Sequence, residues 1–126
     1  MTGIATFSLA ALDTRDPLGS ARFYSALTGW PIRDGDDVPG ADWVELVPAA
    51  GATIAFQLAP GHTPPEWPGD EHPQQAHLDF DVADLDEGEA QVLAIGARKH
   101  DVQPSRQFRV FLDPAGHPFC LVLIRS

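Results

Sequence analysis

The chain has 126 residues, 44% hydrophobic and 21% charged, which is the size and composition of one globular domain able to bury a core without disulfide or metal staples. Its one cysteine, Cys120, excludes an intrachain bridge, no apolar run is long enough to span a bilayer, and the first residues lack the charged region of a secretory leader. A cytoplasmic protein is expected, and a formal charge of −10, from 18 acidic against 8 basic side chains, excludes nucleic acid and anionic membrane as partners.

In chain order, residues 4–12 (IATFSLAAL) predict a buried strand. Asp16 then offers an N-cap with Pro17 at the first helical position, where its missing N–H costs nothing. The helix runs to Thr28 with Ala21, Phe23, Tyr24 and Leu27 toward the core, and Gly29 stands where a positive φ is wanted. Residues 42–47 (DWVELV) and 52–58 (ATIAFQL), separated by PAAG, predict a hairpin. Residues 60–75 hold five of the twelve prolines and suit neither a central strand nor a helix interior.

Beyond that segment, residues 76–82 (AHLDFDV) alternate strictly, with Leu78, Phe80 and Val82 on one face and His77, Asp79 and Asp81 on the other. Asp84, with Glu87 three residues on, has the spacing of a capping box for a helix ending near Gly96, although Gly88 weakens that helix. Residues 108–112 and 119–124 predict strands joined by a turn at 113–116. The order of the first half is repeated: Asp13 and Asp16 match Asp81 and Asp84 at an offset of 68, and Gly29 matches Gly96 at 67. Each half predicts a strand, a helix and about three strands.

These segments make the chain resemble the glyoxalase, bleomycin-resistance and extradiol-dioxygenase superfamily, also called vicinal oxygen chelate, and most of all the small glyoxalase-like proteins of actinobacteria. The resemblance lies in DTRDPLGSARFYSALTGW (13–30), AFQLAPG (55–61), the stretch 67–97 and FRVFLDPAGHPFCLV (108–122). It implies a single α+β domain of two βαβββ modules, about 4–59 and 76–124, joined by the proline-rich connector 60–75. Their strands would form an incomplete barrel-like cup with the helices outside.

The resemblance also implies four metal-ligand positions on the first and last strands of the modules, which fall on Leu9, Gln57, His77 and Cys120, with Ala55 replacing Gln57 if the register shifts by two. Leucine binds no metal, and one imidazole, one amide and one thiol make a poor set for hard cations. No metal or other cofactor is therefore expected. His77 shares a strand face with Asp79 and is the candidate general base; the bland reading is a histidine satisfied on a polar strand face. Trp43 and Glu45 share a parity suited to flooring and orienting a ligand, and Trp67 suits a cover over the cup, against the alternative of a stiff surface connector with Trp67 packed on a helix. Cys120 also reads as a small buried hydrophobe. The expectation is a small-molecule binding protein, with a lyase or isomerase using His77 or an unusual metal site as the alternative, and a partner module with a vestigial cup as a third reading. A homodimer is expected, because open modules leave strand edges.

Overall fold

A computed structural model describes residues 3–124, and the chain divides into two units that meet between His62 and Thr63. The first unit holds β1 (Leu9–Thr14), α1 (Pro17–Thr28), β2 (Trp43–Glu45) and β3 (Thr53–Leu58) in a sheet of order β1-β3-β2. β1 lies parallel to β3 and β2 antiparallel to it, so the expected hairpin forms with Trp43 opposite Gln57. The second unit holds β4 (Leu78–Val82), α2 (Leu85–Ala94), β5 (Arg98–Lys99), β6 (Phe108–Leu112) and β7 (Pro118–Leu123), in the order β4-β7-β6-β5. Its first and last strands are again parallel. The architecture is α+β, and no helix among the described residues is long and apolar enough to cross a membrane.

Local chemistry sets both helix starts. Asp16 accepts from the Gly19 amide at 3.1 Å and Asp84 from the Glu87 amide at 3.0 Å, each satisfying a donor that the helix leaves open. α1 ends at Gly29, whose φ of 78° is the left-handed conformation that glycine adopts without a Cβ clash. In the first unit Tyr24 of α1 stacks on Phe56 of β3 at 5.4 Å, and Val44 and Phe56 are fully buried. In the second, Phe111 stacks on Phe119 at 5.7 Å, and Leu121 is fully buried. Arg109 on β6 reaches Asp86 and Glu89 of α2, and Lys99 on β5 also reaches Glu89, tying the helix to the sheet.

Three expectations need correction. The first strand begins at Leu9, and Ile4 and Phe7 are exposed rather than buried, because β3 starts at Thr53, the partner of Leu9, and offers no ladder further back. Likewise β4 begins at Leu78 and excludes Ala76 and His77. The first unit carries two strands after its helix, and where the second has β5 it has a bridge of Ile32 to Leu46. Pro31 supplies no amide there, although its carbonyl accepts from Val47.

Gly88 also finds its reason. A Cβ there would stand 3.2 Å from both Leu121 Cδ1 and Val82 Cγ1, so the bare backbone lets α2 settle on β4 and β7.

Candidate functional site

Pairing register and alternation fix which side chains share a face. In the second unit Val82 and Leu121 approach Gly88, so they mark the helix side of the sheet. Asp79 stands opposite Cys120 in the parallel ladder, and both point to the other side, together with His77 two residues before Asp79. The three side chains meet: their ligand atoms all lie within 4.8 Å of one another, and His77 Nε2 is 3.2 Å from Asp79 Oδ1. The His77 and Asp79 side chains are 43% and 55% exposed, whereas Cys120 is 8% exposed, so two adjustable groups flank one fixed sulfur.

Burial and then the charge of Asp79 and its hydrogen bond push the Cys120 thiol up to about 11. At neutral pH the sulfur therefore keeps its proton and donates it toward the Asp79 carboxylate. Such a thiol is a weak nucleophile and a hydrogen-bond donor. Asp79 thus lies between an imidazole and a thiol, positioned to orient the first and hold the second protonated.

In the first unit, Tyr24 against Phe56 marks the helix side, and the same alternation places Leu9, Trp43, Glu45 and Gln57 on the opposite face. Trp43 Nε1 donates to Glu45 Oε2 at 2.9 Å, and the Arg33 guanidinium pairs with the same carboxylate. Arg33 also pairs with Asp36 at 3.0 Å, and Asp36 accepts from the Glu45 amide at 2.9 Å. The indole and carboxylate are therefore locked to each other and to the loop after α1. Sequence pattern places Trp43 and Glu45 on one face but gives no signal for Arg33 and Asp36, which come from a segment without periodicity.

Of the four positions assigned to a metal, Leu9 has no donor atom. The register places Ala55 opposite Ala11 of the first strand, as Cys120 lies opposite Asp79, so Ala55 rather than Gln57 is the repeat partner of Cys120. Gln57 lies at the exposed end of β3. This set does not fit an oxygen-rich centre. Asp79 is the donor that counting by these positions omits.

Trp67 stands edge-on to His100 at 5.3 Å. Nearby Glu66 pairs with His72 at 3.1 Å, and a Cβ on Gly116 would meet Pro64. Residues 63–75 are thus fastened within the second unit at several points.

A family model described as Glyoxalase-like domain matches residues 10–122. Among solved structures, a glyoxalase/bleomycin resistance protein/dioxygenase family enzyme from Burkholderia phytofirmans PsJN is 18% identical, with a TM-score of 0.72 over 96% of this chain and 100% of that one. A glyoxalase-related enzyme from Fulvimarina pelagi is 18% identical, with a TM-score of 0.66 over 96% of this chain and 89% of that one. A glyoxalase/bleomycin resistance protein from Albidiferax ferrireducens T118 is 20% identical, with a TM-score of 0.63 over 94% and 98%. At these identities the structural likeness speaks for the fold. No curated protein matches the sequence.

Proposed function

The chain belongs to the glyoxalase-like domain family, and on that premise we propose that it binds a small organic molecule, acting as one domain, without the four-position metal centre of the family. The observation that carries this reading is the cluster of His77, Asp79 and Cys120 on the face away from α2. Few polar groups set among apolar strands orient a ligand while the surrounding surface binds it. Here the imidazole, the carboxylate and the protonated thiol supply that polar set, and Trp67 of the same unit is a further candidate contact. A compound carrying an apolar or aromatic body and one hydrogen-bonding group suits them.

Ligand-observed NMR of the whole chain against a library of aromatic compounds tests it. Hits are expected to bind parent protein at least tenfold tighter than His77→Ala or Asp79→Asn. Hits that bind all three alike count against the site.

A second reading has its own observation. Asp79 Oδ1 at 3.2 Å from His77 Nε2 orients the imidazole in the manner of a general base, which suits a lyase or isomerase. Consumption of a hit over time, abolished in His77→Ala and not in Arg22→Ala, a change at an exposed ion pair, would favour catalysis over binding alone.

A further inference from the structure

Building on the small-molecule reading above, we infer that Arg98 sets the class of ligand, an organic acid whose anionic head is held by the guanidinium while its apolar or aromatic body lies on the sheet toward His77.

Ladder register places Arg98 on the right face. Lys99 of β5 reaches Glu89 of α2, and Arg109 of β6 reaches Asp86 and Glu89, so these odd-numbered residues point to the helix side. Arg98, paired with Leu112, therefore points to the face away from α2, as do Val110 and its ladder partner Cys120. Leu112 pairs in turn with Pro118, and His77 stands beside Pro118 by continuation of the β4–β7 register. One row across that face thus runs His77, Pro118, Leu112, Arg98. An imidazole and a guanidinium, three strand spacings or roughly 14 Å apart, bound an apolar floor. His100, next after Arg98 on the same face, donates its amide to the Val110 carbonyl at 3.0 Å and meets Trp67 edge-on at 5.3 Å. The indole therefore flanks the floor on the side of Arg98.

The charges of the chain leave this guanidinium over. Arg22, Arg33, Lys99 and Arg109 each lie in an ion pair, and Arg15 donates to the His62 carbonyl. Arg98 is exposed and, among the described residues, has no such partner, although the chain carries 18 acidic side chains. The carboxylate of Asp79 stands at the far edge of the sheet, engaged by His77 and Cys120. A free guanidinium at the rim of an apolar floor takes a ligand carboxylate through two parallel hydrogen bonds, which a neutral amide of the same shape cannot match.

The probes are 2-naphthoate and 2-naphthamide, equal in body and different in charge, titrated into the whole chain and followed by NMR. The acid is expected to bind at least tenfold tighter than the amide. Arg98→Gln should abolish that preference, whereas Arg106→Gln, which removes an equal charge from an exposed loop of the same unit, should keep it, with circular dichroism unchanged in both. An amide that binds as tightly as the acid overturns the inference, and so does an acid that does not bind. A preference that survives Arg98→Gln, or falls equally in Arg106→Gln, overturns it as well. Neutral compounds whose binding still needs His77 would then leave the small-molecule reading standing on its own.

Discussion

Thr14 and Ser20 join hydroxyl to hydroxyl at 2.8 Å between β1 and α1, and both are buried. At an offset of 68 residues the same two places hold Val82 and Gly88, where a methyl group meets bare backbone. One half of the duplicated fold thus closes its strand-to-helix corner with a polar pair and the other with an apolar contact. Each solution is consistent as a pair, because in one corner two hydroxyls share a hydrogen bond and in the other a methyl group beside bare backbone needs none.

Ser20→Ala should accordingly cost about 1–2 kcal/mol, since it takes away one of the two hydrogen bonds of the buried Thr14 hydroxyl. Adding Thr14→Val should recover part of the loss, though not all, because Thr14 Oγ1 also accepts from the Asp16 amide at 3.1 Å. Urea unfolding of the two single variants and the double gives the coupling directly. Strict additivity would show that the hydroxyls do not depend on each other.

Gly88 separates helix propensity from packing. Gly88→Ala should change stability by less than about 1 kcal/mol, because the gain in helix propensity offsets a Cβ placed 3.2 Å from Leu121 and Val82. Gly88→Leu adds bulk that the corner cannot take and should cost about 1–3 kcal/mol. Thermal melts of both rank them, and a Leu variant as stable as the Ala variant would contradict this packing.

Asp113 is buried and its Oδ1 accepts from the amides of both Ala115 and His117 at 2.9 Å. Asp113→Ala should cost about 2 kcal/mol or more by leaving those donors without that acceptor, and Asp113→Asn should cost less because it keeps an acceptor oxygen. Denaturant midpoints compare the two.

Alkali should weaken the fold through Cys120. Its thiol ordinarily loses its proton near 9.0 but holds it to about 11 when folded, so between these values the unfolded chain binds fewer protons. The contribution is therefore fully present below pH 9 and is lost as pH rises through about 11, by roughly 2 kcal/mol. The difference in unfolding free energy between parent and Cys120→Ser, followed from pH 8 to 11, should shrink across that window. Asp79→Asn should reduce the loss, since the carboxylate is the next cause after burial.

Much of this was legible in the residues because the signals were local. Asp16, Asp84 and Gly29 mark helix ends by chemistry that acts within three residues, and Leu78, Phe80 and Val82 mark a face by alternation. Alternation also placed His77 and Asp79 together. It did not bring Cys120 to them, because the register of β4 on β7 joins segments far apart in sequence. The donor positions that the resemblance implies omit Asp79 although alternation puts it beside His77, and nothing in the pattern of residues 31–42 signals that Arg33 pairs with Glu45. Ile4 and Phe7 misled because apolar content does not reveal where a partner strand ends.

The parallel pairing of each unit's opening and closing strands bears on how the chain acquires its structure. Leu9 waits for Thr53 and Leu78 for Phe119, whereas β2 with β3 and β6 with β7 are near neighbours that zip up at small entropic expense. The hairpins are the natural nuclei, and β1 and β4 dock onto finished templates. Substitutions in β1 or β4 should then mainly speed unfolding, while substitutions in the hairpins slow refolding, an asymmetry that should recur in both halves of the repeat.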